Sequence, residues 1–181
     1  MNTLHRRLFG LALVLVFTLV AAPALAEKKF LGSDDDKEKD EPQKWLKDYD
    51  KLTKGKEANW VYFTETNFKK YKTVSVKEFD ANGRGREARD AASDGRDYME
   101  KGLEKQGWEV VKSGGDMVIE GNVFSAWQGG WVFHGVGLEL MLKDSQGNLI
   151  GQIRHKSKGS SIRNAVDNAL EECAKTIAAG R

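Results

Sequence analysis

Beyond the first 26 residues, two histidines, one cysteine, a run of acids and a glycine-spaced turn are the residues of this chain whose types could do chemistry. His134 and His155 could serve as general bases or zinc ligands, because imidazole titrates near neutrality and binds metals through either ring nitrogen. A serine hydrolase would add a nucleophile and a carboxylate, and a zinc site a third donor. No carboxylate stands at a spacing that completes either set, so both histidines are expected to be structural. A periplasmic hydrolase using His134 or His155 is the alternative. Asp34-Asp35-Asp36 lacks the spaced oxygen ligands and the glycine of a calcium loop. Gly83-x-Gly85-x-x-Ala88 has the form of a dinucleotide loop, with Arg84, Arg86 and Arg89 beside it, but a second nucleotide-binding half is missing. A solvated basic turn is the simpler reading. No catalytic residue, metal or cofactor is expected.

The ends of the chain speak to location. Its first 26 residues carry no acid; Arg6 and Arg7 precede the apolar stretch Leu11 to Val20, and Ala24-Leu25-Ala26 offers small residues for a signal peptidase. Residues 1–26 are therefore expected to be a cleavable signal peptide cut after Ala26, directing the chain to the periplasm or outside the cell. The apolar run falls short of the roughly 20 residues that span a bilayer. Arg6-Arg7-Leu8-Phe9 has the core of a twin-arginine signal, yet the strongly apolar segment that follows favours the general secretory route. No cysteine near the cleavage site could accept a lipid. Of 29 basic side chains, two leave with the signal, which balances the 27 acids and gives no field to attract nucleic acid.

Residues 27–41, EKKFLGSDDDKEKDE, are dense in charge and poor in apolar groups, so they are expected to be a disordered linker. Pro42 then opens an expected short amphipathic helix over 42–58, with Trp45, Leu46, Tyr49 and Leu52 on one face. Residues 59–181 carry the pattern of an α+β domain. Trp60 to Phe63 and Thr73 to Lys77 read as strands, and a helix follows with the stripe Ala88, Ala91, Ala92, Gly95, Tyr98, Met99 and Leu103, stopped by Gly107. A strand over Trp108 to Val111, after that helix, can run parallel to the strand before it. Met117 to Trp127, Trp131 to Lys143 and Leu149 to Lys156 follow with only turns between them, an antiparallel three-stranded meander. Ser160 or Ser161 caps a last helix whose buried stripe is Ile162, Ala165, Val166, Ala169, Leu170, Cys173 and Ile177, which makes Cys173 a small hydrophobe. The expected fold is a mixed β-sheet with two helices packed on one face.

Tyr49-x-x-Leu52, Trp60, Tyr62 and Tyr71-x-x-Val74-x-Val76 resemble the opening of bacterial envelope lipoprotein domains, the domain-of-unknown-function family numbered 3313. Ile119-Glu120-Gly121-Asn122, Gly135-Val136-Gly137 and Leu142-x-Asp144-x-x-Gly147 are similar to the related family numbered 4410. The resemblance implies a cell-envelope protein that binds partners or assembles and does no chemistry, distantly like activators of penicillin-binding proteins and the curli secretion lipoprotein. The missing lipid-acceptor cysteine departs from that pattern.

The hairpin NVFSAWQGGWVFHGVG, residues 122–137, concentrates the aromatics. With Gln128-Gly129 as its turn, Met117 would face Leu140, Ile119 Leu138, Gly121 Val136, Val123 His134 and Ser125 Val132, a coherent buried face. Phe124, Trp131 and Phe133 would then point outward over a trough left by Gly135 and Gly137. Extending the register through Leu142 opposite Leu149 sets Lys156 beside Gly135 and Arg154 beside Gly137, with Glu120 and Asn122 on the other flank. The two histidines would lie on the core face and could approach each other near one sheet end. The outward groove is the candidate binding site, for an envelope protein, an extended peptide, a glycan or an anionic lipid group. Two other uses of that face stay open: cover for the segment around Trp45, or insertion into a membrane interface. The expected function is that of an exported, non-enzymatic binding or assembly module.

Overall fold

A computed structural model describes residues 45–65, 67–129 and 133–180. The expected signal peptide, the expected linker with Asp34 to Asp36, Pro42 and Trp131 lie outside the described residues. In chain order the strands are β1 (Thr53–Lys54), β2 (Trp60–Phe63), β3 (Thr73–Val76), β4 (Asp80–Ala81), β5 (Glu109–Val110), β6 (Met117–Gly129), β7 (Phe133–Asp144) and β8 (Leu149–Gly159). Helix α1 (Arg86–Lys105) lies between β4 and β5, and α2 (Ile162–Ala178) ends the chain. The sheet runs β1-β2-β8-β7-β6-β3-β5, with β4 also paired to β6. This is the expected α+β arrangement. β6, β7 and β8 form the antiparallel meander, while β3 pairs parallel to both β5 and β6.

Local chemistry sets the helix ends as the sequence implies. Gly107, at φ 79°, closes α1: its N–H bonds the Glu104 carbonyl and the Trp108 N–H bonds the Leu103 carbonyl, a paired glycine C-cap. Ser161 caps α2 by accepting the Asn164 N–H at 3.1 Å. Both helices press their expected stripes onto one sheet face, where Met99, Leu103, Met117, Ile119, Leu138, Leu140, Leu142, Ile153 and Leu170 are fully buried. Each such side chain contributes about 1.5–3 kcal/mol through removal from water. Glycines let rings into this core: Phe79 sits between Gly95 of α1 and Gly121 of β6, where an added Cβ would lie 2.5 and 2.4 Å from its ring.

The opposite sheet face is covered in part by the N-terminal segment. Leu46, Leu52 and Met141 form a second buried cluster with Trp45, Tyr49, Trp60, Tyr62 and Leu149. The helix expected over 42–58 is absent from its described part, which holds only a 3-10 turn at Tyr49–Lys51 and then β1. Nucleating so short a helix is costly. The Gln152 side-chain carbonyl instead takes the Lys47 N–H at 2.8 Å and the Asp48 N–H at 3.5 Å. The segment keeps its apolar contacts without helical geometry.

Candidate functional site

The geometry of the aromatic hairpin follows from its register, which differs from the expected one by four residues. Met117 faces Asp144, Ile119 Leu142, Gly121 Leu140 and Val123 Leu138. A slide of four preserves the alternation of faces, so the same residues stay buried. At Phe124 a bulge intervenes, and beyond it Ser125 pairs with Gly137, Ala126 with Val136, Trp127 with Gly135 and Gly129 with Phe133. The bulge reverses the sense of the alternation. Ala126 turns to the core and Trp127 to the outer face, opposite to the expected placement.

That reversal fills the proposed trough. A Cβ on Gly135 would stand 1.9 Å from the Trp127 ring, and one on Gly137 2.5 Å from Phe124 Cζ. The glycines are the seats of those two rings rather than the floor of an open groove. On β8, Lys156 lies beside Gly137 and Arg154 beside Glu139, two positions from where each was expected. Their charges interleave with the rings. Arg154 Cζ is 4.1 Å from the Phe124 centroid and 5.3 Å from Tyr49, and Lys156 Nζ is 5.8 Å from Phe124 and 5.9 Å from Trp127. Such contacts each contribute about 0.5–2 kcal/mol, more where water is excluded.

A carboxylate anchors the buried end of this ladder. Glu139, 1% exposed, accepts from the Tyr49 hydroxyl at 2.5 Å, from Arg154 Nη1 at 2.5 Å and from Asn122 Nδ2 at 3.3 Å. Asn122 in turn accepts the Asn82 N–H at 3.1 Å. Burial, and then the bond to Glu139, pushes the Tyr49 phenol up to about 12. Glu120 is turned to other partners, Lys77 at 2.7 Å and Lys143 at 2.5 Å. Of the candidate residues, Phe124, Gly135, Gly137, Arg154, Lys156 and Asn122 gather on one face, yet they are occupied with one another. Among the described candidates Phe133 alone stands clear, 63% exposed. Tyr49, Trp127 and Glu139 were not foreseen as its members. A lone acid in the apolar run Leu138-Glu139-Leu140-Met141-Leu142 is the signal that could have found Glu139.

The histidines do not meet. His134 pairs with Gly159, four residues along β8 from His155, or roughly 13 Å at the rise of a strand. His155 is 2% exposed; its Nδ1 accepts the Asn59 N–H at 2.9 Å, which leaves the ring proton on Nε2, facing the Glu172 carboxylate. A histidine–carboxylate pair therefore exists that spacing along the chain did not reveal, because Glu172 arrives from α2. With both nitrogens engaged and the ring buried, it joins β8, α2 and the segment before β2. Burial lowers its proton affinity, against the pull of Glu172. Cys173 is buried, and burial pushes its thiol up, away from thiolate reactivity. Among the described residues no cluster of three or more His, Cys, Asp and Glu could hold a metal, and no helix is long and apolar enough to cross a membrane.

The glycine-spaced turn before α1 has a packing role. Gly83 donates its N–H to the Val123 carbonyl at 2.9 Å, and an added Cβ would lie 3.0 Å from the backbone of Phe124. Gly85, at φ 100°, turns the chain into α1.

No family model matches the chain, and no curated protein does. Among solved structures, it is similar to a PelC dodecamer from Paraburkholderia phytofirmans, with a TM-score of 0.51 at 16% identity, covering 62% of this chain and 93% of that one. A second PelC dodecamer structure from that organism gives 0.52 at 15% identity, covering 67% and 98%. A minor lipoprotein from Acinetobacter baumannii is a looser match, at 0.37 and 14% identity over 60% and 94%. At these identities the likeness to PelC is one of fold.

Proposed function

We propose that the chain is an exported, non-enzymatic module of the bacterial cell envelope that works by binding or assembly. The observation that carries this reading is the exposure of Phe133 at the end of the β6–β7 hairpin, two residues after Trp131 in sequence, while the other described candidate groups are taken up internally. An apolar side chain held out on a hairpin end gains from burial against a partner. The stretch Val123 to Leu138 holds no carboxylate, and Lys156 and Lys158 stand on the neighbouring strand, so a partner with acidic groups is favoured. The signal-peptide pattern supports export, and the resemblance of short motifs to the families numbered 3313 and 4410, together with the fold likeness to PelC, supports an envelope setting. PelC of similar fold is a dodecamer; self-assembly is the corresponding proposal here.

The test is capture from envelope extracts on the immobilised chain from residue 27 onward. Wild type is expected to retain a partner or further copies of itself that Phe133→Ala combined with Trp131→Ala does not. Equal capture by both would remove the hairpin end as the working surface.

A further inference from the structure

Several stretches of the sheet lack a described neighbour on one side, and they differ in kind; β2, for one, covers β8 only at Gly151–Arg154, and the rest of β8 carries Lys156 and Lys158. The two outer edges of the sheet are short and carry charge: β1 is Thr53-Lys54, and β5 is Glu109-Val110 with Lys112 just beyond. Short edges with charged side chains are the ordinary protection against pairing with another chain. The free side of β6 is different. β3 covers β6 only at Met117–Ile119 and β4 only at Asn122–Val123, and the Gly83 N–H closes that line at the Val123 carbonyl. From Phe124 to Gly129 no described strand lies on that side. These six residues, Phe-Ser-Ala-Trp-Gln-Gly, include no charge and no proline.

We propose that the β6 edge over Phe124–Gly129 pairs with the same edge of a second copy of this chain, antiparallel about a two-fold axis near Trp127. This rests on the binding and assembly reading and names its partner. The edge is self-complementary in the way an isologous contact requires. With Trp127 opposite Trp127, Ser125 meets Gly129 and Ala126 meets Gln128, so no charges oppose across the contact. The Trp127 indole leans over Gly135 of β7 toward Lys156 of β8, away from the free side of β6, so it leaves that edge open to an approaching strand. The two-fold places the Gly83 turn of each copy, with Arg84 and Arg86, at opposite ends of the contact.

The test uses the chain from residue 27 onward, with molar mass by light scattering across a wide concentration range and amide hydrogen exchange on the same samples. A dimer is expected to form, with amides within 125–129 slowed as it forms. Gln128→Lys and Gln128→Asp, at an exposed position, should each weaken association by about tenfold or more while leaving the circular dichroism spectrum intact. A monomer at every concentration overturns the proposal. So does an oligomer whose 125–129 amides exchange as in the monomer, although that result leaves the assembly reading standing. Should both variants misfold, the wild-type exchange pattern decides alone.

Discussion

The Trp127 indole occupies the space above Gly135, its partner across the β6–β7 hairpin: a Cβ there would fall 1.9 Å from Trp127 Cζ2. The glycine is thus a requirement of the tryptophan. The same relation recurs where Phe63 of β2 lies against Gly151 of β8, with 2.5 Å between the ring and an added Cβ. Aromatic side chains that cover cross-strand glycines protect the exposed backbone and pin the register.

Gly135→Ala is therefore expected to destabilise the chain by about 1–3 kcal/mol, the usual cost of overpacking. The shift should appear in the urea midpoint, together with a change in tryptophan fluorescence as Trp127 leaves its seat and Lys156. An unchanged midpoint would mean that the ring moves aside freely.

Tyr49→Phe removes one of the three donors to a carboxylate that is 1% exposed. A loss of about 1–3 kcal/mol is expected, since bonds to buried charged groups exceed neutral ones. Because the native phenol is raised to about 12 from 10.0, stability from this group is present below pH 10 and declines as pH rises beyond it. Ultraviolet titration should show the latest-ionising tyrosine of the wild type missing from the variant.

His155 gives a second pH signature with its own sign. Its native proton affinity lies below the ordinary value of 6.5, so the unfolded chain binds more protons as pH falls through that value. The neutral ring's contribution is complete above pH 6.5 and declines below it. His155→Gln keeps an acceptor for the Asn59 N–H and should flatten the pH dependence of unfolding in this window. An unchanged slope would place the titration elsewhere.

Much of the fold was legible because its signals are local. The α1 and α2 stripes, the Gly107 stop, the Ser161 cap and the parallel relation of β3 and β5 all follow from periodicity and turn chemistry. The hairpin register was not, for a physical reason: alternation has period two, so sliding β7 by four residues buries the same side chains and costs nothing by that criterion. The bulge at Phe124 then exchanged the roles of Ala126 and Trp127, and no residue there announces it. Around Tyr49, spacing suited a helix, but Gln152, more than a hundred residues away in sequence, supplies the acceptor that replaces helical bonding. His155 and Glu172 likewise meet only through the docking of α2 on β8.

Association through the hairpin, rather than histidine chemistry, is the central claim, and capture from envelope extracts on three immobilised chains tests it most directly. These are the wild type, the Phe133→Ala plus Trp131→Ala variant, and a His134→Gln plus His155→Gln variant, each confirmed folded by circular dichroism. The account predicts that the histidine variant captures what the wild type captures and that the aromatic variant does not. Capture that survives loss of the aromatics but not loss of the histidines would contradict it.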